Sequence, residues 1–141
     1  MVTMIIAVLI AASGVTLVTE GTAFAQSSCT NGSGFQNTKG YPVTVPTVGE
    51  ETHQANCDLG EGNDNMGVFY LQQDLNDCYK YSLALDGDFG PATLAALEHV
   101  QSIIGVTVDG VYGPNTRNAM QWSPPNEPSA CSKLVQPLVN R

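Results

Sequence analysis

The feature that most constrains this chain is an internal repeat. Residues 85–93, Leu-Asp-Gly-Asp-Phe-Gly-Pro-Ala-Thr, recur as residues 108–116, Val-Asp-Gly-Val-Tyr-Gly-Pro-Asn-Thr, with a constant offset of 23 residues. Asp-Gly is typical of a tight turn, because the carboxylate accepts nearby backbone N–H groups and glycine adopts positive φ. The Gly-Pro that follows opens a helix, since proline is tolerated at its first position. Each copy is therefore predicted to be a loop that directs a helix.

Apolar residues at helical spacing predict three helices around these loops. The buried faces of the first two carry Val68, Leu71, Leu75 and Cys78 in one helix and Leu97, Val100 and Ile104 in the next. Gly105 is a natural end for the second helix. A third, shorter helix is predicted from Pro114 to about Gln121. We therefore expect an all-α fold, a small three-helix bundle at residues 57–122.

The segments on either side of the bundle have a different composition. Residues 26–56 are rich in Ser, Thr, Asn and Gly, and residues 41–48 alternate valine with threonine and proline. That alternation predicts an edge strand or an extended arm, because two prolines exclude a central strand. Residues 123–141 contain four prolines and are predicted to be an extended C-terminal tail. Both segments are expected to be arms attached to the bundle.

The first 25 residues are predicted to be a secretory signal peptide. An apolar run at residues 5–18 precedes Ala23-Phe24-Ala25, a small-residue cleavage pattern. No lysine or arginine precedes the run, which leaves the true start of translation open. A single membrane-spanning helix is the alternative, but it needs about 20 apolar residues, and Glu20 interrupts this run.

The charge balance excludes one class of partner. The chain has a net charge of −8, and removal of residues 1–25 takes away only Glu20 and leaves −7. Nucleic acid requires a basic surface, so a nucleic-acid partner is excluded. After cleavage of the signal peptide, no membrane partner is expected either. Polymer binding would have to rely on hydrogen bonds and stacking.

Four cysteines, Cys29, Cys57, Cys78 and Cys131, all follow the predicted cleavage site. An even number in a small exported chain predicts two disulfides, for which three pairings are possible. We predict Cys57–Cys78, which would connect the first helix to the segment that leads into it, and Cys29–Cys131, which would hold both arms against the bundle. Each bond is expected to add about 2–4 kcal/mol.

Several motifs together resemble the peptidoglycan-binding-like domain of cell-wall hydrolases. Leu59, Gly62, residues 68–72 and Leu75 resemble its first-helix signature. The first repeat copy, with Ala96-Leu97, Val100-Gln101 and Gly105 in matching places, resembles the entry to its second helix, and the second copy resembles the entry to its third. The similarity covers roughly residues 57–122. One departure is Val100, where the family often has phenylalanine before the glutamine.

The resemblance implies a three-helix fold and a binding role. Such modules hold wall hydrolases on their polymer, so the expected partner is peptidoglycan or a related wall glycan, without turnover. No catalytic domain accompanies the module in this sequence. The alternative is a secreted interaction protein or inhibitor that uses the same fold to bind another secreted protein.

Six residues are candidates for ligand binding: Gln72, Gln101, Tyr112, Asn115, Arg117 and Trp122. The two glutamine amides could bond a glycan or stem peptide, or instead brace a neighbouring loop. The aromatic rings suit sugar stacking. The alternative is that both are core residues, and it is stronger for Tyr112, because its counterpart in the first repeat copy, Phe89, is expected to be buried. Arg117 and Asn115, near the start of the third helix, are candidates to meet a carboxylate of a stem peptide.

Catalytic and metal chemistry receive little support from the sequence. Asp86, Asp88 and Asp109 could act as general acid and base or bind calcium, which would make the chain a small hydrolase. Their recurrence beside glycine favours a role in forming turns. His53 and His99 belong to no zinc motif, and no Gly-x-Ser-x-Gly elbow occurs. No enzyme activity, metal or cofactor is predicted.

Overall fold

The expected all-α fold is wrong, because a two-stranded antiparallel sheet accompanies the helices. The computed structural model describes residues 26–136 and residue 138. The predicted signal peptide, residues 1–25, lies outside the described residues. Within the described part, the elements are β1 (Asn31–Gln36), β2 (Pro42–Thr47), α1 (Met66–Tyr79), α2 (Pro91–Ile104), α3 (Pro114–Ala119) and a 3-10 turn at Pro128–Ala130.

The sheet is a hairpin formed by part of the predicted N-terminal arm. Asn31 lies opposite Thr47, and Gln36 lies opposite Pro42. The edge-strand prediction for residues 41–48 is confirmed, and Val43 and Val45 face the core. In a two-stranded sheet, alternate N–H groups of each strand point away from the partner strand and form no ladder bond. Pro42 and Pro46 are four residues apart, so both can occupy such positions in β2 and no ladder bond is lost. The pairing partner, β1, has no alternation of apolar and polar residues, so its sequence does not predict a strand.

The hairpin packs on α1, and a glycine makes the close approach possible. A Cβ atom at Gly32 would lie 2.5 Å from Cδ2 of Tyr70 and 2.7 Å from Cγ2 of Thr44. The hairpin loop is held by Asn37, whose Oδ1 accepts from the backbone N–H of Tyr41 at 3.1 Å. The Nδ2 of the same side chain donates to the carbonyl of Ala130 at 3.2 Å. One buried amide thus connects the hairpin to the C-terminal segment.

The helices begin and end where local rules place them. Asn65 Oδ1 accepts from the Val68 N–H at 3.2 Å and caps α1. Pro91 and Pro114 open α2 and α3, as predicted, and Gly105 ends α2 with a φ of 76°. The third helix ends two residues earlier than expected, at Ala119. None of the helices in the described part of the chain has the length and apolar character needed to cross a membrane.

The core joins all of these elements. Leu59 and Tyr112 exchange backbone hydrogen bonds of 2.8 Å, which brings the residues before α1 against the second repeat loop. The largest fully buried side chains include Trp122, Tyr112, Phe89, Leu59, Leu71, Leu75, Leu97, Met120 and Leu134. Phe89 and Tyr112 occupy the same place in the two repeats, so each loop is anchored by one aromatic ring.

Both predicted disulfide pairings are wrong, although all four cysteines are bonded as expected. The bonds are Cys29–Cys57 and Cys78–Cys131, with Cα atoms 5.0 and 5.8 Å apart. The first pair meets because the strand-like segment before β1 runs beside Asp58, whose N–H donates to the Ser27 carbonyl at 3.0 Å. The second meets because the 3-10 turn packs against the C-terminal end of α1.

One carboxylate of α1 is buried where this C-terminal segment returns. Asp74 is 4% exposed, and its Oδ1 accepts from the Ser123 N–H at 2.7 Å, whereas its Oδ2 has no partner among the described residues. Burial, reinforced by the nearby Asp77, raises the pKa of Asp74 well above its usual value despite the bond from Ser123. Folding therefore favours the protonated form of this side chain.

We expect the Asp74→Asn variant to unfold at a higher temperature than the wild type at pH 7. Because the folded pKa of Asp74 lies above the unfolded value, the wild type loses stability as the pH rises from the unfolded pKa through the folded one. Asparagine mimics the protonated form at every pH. The expected gain is about 3–6 °C, which corresponds to a stability change of about 1 kcal/mol, and it should vanish near pH 4. Melting curves from pH 4 to 8 measure it, with Glu61→Gln as control, because Glu61 is exposed and is not one of the groups that shift the pKa of Asp74. A gain independent of pH would contradict the prediction.

Candidate functional site

The first repeat loop, residues 85–90, is held by a glutamine from the preceding helix. Gln72 Nε2 donates to Asp86 Oδ1 at 2.8 Å and to the Asp88 carbonyl at 3.0 Å. The same nitrogen lies 3.2 Å from Thr93 Oγ1, and the Gly87 N–H donates to Gln72 Oε1 at 3.0 Å. A single amide therefore joins α1, the loop and the start of α2.

The second loop, residues 108–113, repeats this arrangement with Gln101 of α2. Its Nε2 donates to Asp109 Oδ1 at 2.8 Å and to the Val111 carbonyl at 2.9 Å, and lies 3.1 Å from Thr116 Oγ1. Its Oε1 accepts from the Gly110 N–H at 2.9 Å. Gln72 and Gln101 are 2% and 0% exposed. The structure places both amides as buried braces of the loops, with their polar atoms bonded within the protein.

Asp86 and Asp109 each accept a backbone hydrogen bond within their turn. Asp86 Oδ1 accepts from the Asp88 N–H at 3.0 Å, and Asp109 Oδ1 accepts from the Val111 N–H at 2.9 Å. The predicted positive φ occurs at the following glycines, 77° at Gly87 and 68° at Gly110. The hydrogen bond from Gln72 and the one from Asp88 lower the pKa of Asp86. A carboxyl group with a lowered pKa is ionised at neutral pH and is poorly suited to donate a proton.

Three more candidate residues lie in the core. Tyr112 and Trp122 are fully buried, and their rings pack edge to face with centroids 6.1 Å apart. The Trp122 indole N–H donates to the Arg117 carbonyl at 3.1 Å. The Arg117 guanidinium is 4% exposed and donates to the Ala55 carbonyl and to Asn118 Oδ1. Burial lowers the pKa of Arg117. These side chains hold α3 in place and leave Asn115 as the exposed member of the predicted set.

The second repeat carries a polar groove of about 570 Å³, which we call the second groove. One wall consists of the end of α2 and the second loop, another is α3, and the C-terminal segment closes one side. Its lining residues are Gly105, Val106, Thr107, Asp109, Asn115, Thr116, Asn118, Ala119 and Lys133. Hydroxyl and amide groups dominate its polar side chains, and Thr107 and Asn115 are exposed. Such groups both donate and accept hydrogen bonds, as sugar hydroxyls and acetamido groups require.

A smaller counterpart, the first groove, lies at the first repeat. It has a volume of about 130 Å³. Its lining residues are Gln72, Leu83, Ala84, Asp86, Asp88, Gly90, Pro91, Ala92 and Thr93. Five lining positions of the first groove correspond to lining positions of the second at the 23-residue offset. The pairs are Leu83 and Val106, Ala84 and Thr107, Asp86 and Asp109, Ala92 and Asn115, and Thr93 and Thr116. The two grooves are thus copies of one structural unit.

The copies differ in the chemistry of their side chains. Ala84 and Ala92 of the first groove are replaced by Thr107 and Asn115 in the second, so the second has two additional hydrogen-bonding groups. Lys133 lines the second groove and is absent from the lining of the first. The second groove is therefore the larger and chemically richer copy, and we take it as the candidate site.

Sequence reasoning found only part of this lining. Asn115 was predicted, whereas Thr107, Asn118 and Lys133 were not. A comparison of the two repeat copies for gained polar side chains would have identified Thr107. No local sequence pattern indicates that Lys133 lines the groove, because it reaches the groove only through tertiary contacts. Among the described residues, no group of three or more His, Cys, Asp or Glu side chains is arranged to hold a metal ion.

A match to a protein family covers the two loops, their glutamine braces and the three helices. Residues 66–120 match the family described as "Putative peptidoglycan binding domain". This match confirms the resemblance drawn from the repeat. The match includes both loops and eight of the nine residues that line the second groove.

Two curated relatives match parts of this chain. The autolytic lysozyme of Clostridium acetobutylicum is 48% identical over 64 residues, which are 45% of this chain and 19% of the lysozyme. The zinc D-Ala-D-Ala carboxypeptidase of Streptomyces albus G is 56% identical over 36 residues, which are 26% of this chain and 14% of that enzyme. The chain thus spans less than a fifth of either relative. No solved structure matches the chain.

Proposed function

We propose that this chain is a secreted, non-catalytic module that binds peptidoglycan in the second groove. The observation that carries the proposal is the position of the groove. It lies almost wholly within the segment that matches the peptidoglycan-binding family, at the repeat copy where Thr107 and Asn115 stand in place of two alanines. A volume of about 570 Å³ lies within the range of about 300–1,000 Å³ typical of ligand sites.

The relatives support binding rather than catalysis. A lysozyme and a carboxypeptidase are named for different reactions, yet each shares a stretch of similar sequence with this chain. Similarity to two enzymes of different reactions favours a binding role for the shared sequence over either reaction. The aspartates that could serve a hydrolase are engaged in loop turns and in bonds to Gln72 and Gln101. The module is therefore proposed to act by affinity alone.

Secretion is proposed from two features. Residues 1–25 have the pattern of a signal peptide, and the following residues form two disulfides. Disulfides persist in oxidising compartments and are rare in the cytosol. Peptidoglycan also lies outside the cytoplasmic membrane, so the two features and the proposed ligand agree on an extracellular or wall-associated location.

A sedimentation assay on insoluble polymers tests this function. The protein is expressed from its full coding sequence and recovered with oxidised disulfides, and its intact mass shows whether residues 1–25 are removed. Retention is expected on purified peptidoglycan and not on chitin or cellulose. Retention on none of the three would refute polymer binding and favour the alternative of a protein partner.

A double variant tests the groove. Thr107→Ala/Asn115→Ala converts two lining positions to the residues of the first groove, Ala84 and Ala92. Loss of two hydrogen-bonding side chains is expected to weaken binding to peptidoglycan about tenfold, at about 0.5–1.5 kcal/mol for each. Ser82→Ala/Asn126→Ala is the matched control, because both side chains are exposed and outside the groove. Unchanged binding by the first variant would place the ligand elsewhere.

A further inference from the structure

We propose that Lys133 gives the second groove a preference for polymers that carry free carboxylates. The inference rests on the proposed function and specifies the chemical class of its ligand. Lys133 lies outside residues 66–120, so this specificity would be supplied by a part of the chain beyond the family segment. An ammonium group offers three hydrogen-bond donors and a compact positive charge, which suits a carboxylate.

The backbone around Lys133 is held on two sides. The Lys133 carbonyl accepts from the Thr38 N–H of the hairpin loop at 2.7 Å. The preceding residue, Ser132, accepts at its carbonyl from the Trp122 N–H at 2.8 Å, and Cys131 is bonded to Cys78 of α1. The hairpin, the core and the disulfide therefore fix the point from which the lysine side chain extends, while the side chain itself is exposed at the groove.

The positive charge of the lining comes from Lys133. Lys133 and Asp109 are its two charged members. Asp109 Oδ1 is already bonded to Gln101 Nε2 and to the Val111 N–H, so this oxygen is directed into the loop. Arg117, the cation predicted for carboxylate binding, is buried and bonded to Ala55 and Asn118. Lys133 thus takes the role that sequence reasoning gave to Arg117.

The first groove provides a contrast within the same chain. Asp86 and Asp88 line it, and no lysine or arginine does. A carboxylate would be repelled there, whereas a neutral sugar would not. The anion preference is therefore assigned to the second groove alone. In a chain of net charge −8, Lys133 is the cation that the lining of the second groove offers to an acidic polymer.

The test compares native peptidoglycan with peptidoglycan whose carboxyl groups have been converted to methylamides. We expect the wild type to bind the native polymer about fivefold more tightly than the amidated one, the upper range for an exposed ion pair. Lys133→Gln should bind native peptidoglycan about fivefold more weakly than the wild type and should not distinguish the two polymers. Lys39→Gln is the matched control, because it removes the same charge from the neighbouring hairpin loop.

The outcomes separate the two proposals. Equal binding of the wild type to both polymers, or a Lys133→Gln variant that still distinguishes them, overturns the inference and leaves peptidoglycan binding intact. The same loss in Lys39→Gln as in Lys133→Gln also overturns it, because the effect would then come from net charge. Absence of wild-type retention on either polymer refutes the proposed function and the inference with it.

Discussion

The Gln101→Leu variant is expected to lose about 3–5 kcal/mol of the free energy of unfolding. Leucine has a similar volume but cannot replace the bonds of the amide to Asp109, Val111 and Thr116, nor accept from Gly110. Several polar groups of a buried site would lose their partner at once, and unmade buried hydrogen bonds are costly. Equilibrium denaturation of the oxidised protein measures the loss.

A neighbouring glutamine provides the control for this variant. Gln73 lies beside the other brace, Gln72, on α1 but is half-buried, so Gln73→Leu is expected to change stability by less than about 0.5 kcal/mol. Gln72→Leu should behave like Gln101→Leu, because it braces the first loop with an equivalent set of bonds. A cost below about 1 kcal/mol for Gln101→Leu would mean that the Asp-Gly turns hold the second loop without the amide.

Removal of the Cys78–Cys131 bond is the second large effect that we expect. The Cys78→Ser/Cys131→Ser variant should lose roughly 4 kcal/mol, from the chain entropy of a cross-link across 53 residues. Loss of this bond is also expected to change binding. The bond ends two residues before Lys133, so its loss should loosen the C-terminal segment and reduce the preference for native over amidated peptidoglycan.

The other disulfide is a matched control within the molecule. Cys29→Ser/Cys57→Ser removes a cross-link across 28 residues and should cost roughly 3.5 kcal/mol. It joins the N-terminal segment to the residues before α1, and its removal leaves the segment that carries Lys133 cross-linked to α1 through Cys131. Binding is measured at a temperature where both variants remain folded. The preference for native over amidated peptidoglycan should fall in Cys78→Ser/Cys131→Ser and persist in Cys29→Ser/Cys57→Ser. Preference that persists in both variants would show that the C-terminal segment is held by its hydrogen bonds alone, and the same loss in both would show that the effect is not specific to the Cys78–Cys131 bond.

Local features of the fold were predictable because their causes are local. Asp-Gly at residues 86–87 and 109–110 specified two tight turns, and Pro91, Pro114 and Gly105 marked helix ends. Each of these depends on the backbone preferences of residues within one turn of chain. The hairpin was only half predictable: valines mark β2, but β1, rich in glycine and polar residues, acquires its conformation by pairing.

The candidate site was predictable to a smaller extent. Asn115 was identified by its place at the start of a helix, and it lines the groove. Arg117 occupies a similar place in sequence, yet the Ala55 carbonyl and Asn118 draw its guanidinium into the interior. Because 62 residues separate Arg117 from Ala55, no local sequence pattern predicts that contact.

By itself, the sequence determined the repeated loops, the helices that they direct, the resemblance of residues 66–120 to a known family and the presence of paired cysteines. Only the tertiary structure decided which cysteines pair, which polar side chains are buried as braces and which lysine reaches the groove. The reason is physical. Turns and helix ends are specified by interactions between residues close in the chain, whereas burial, disulfide pairing and the lining of a groove depend on segments that meet only when the core forms.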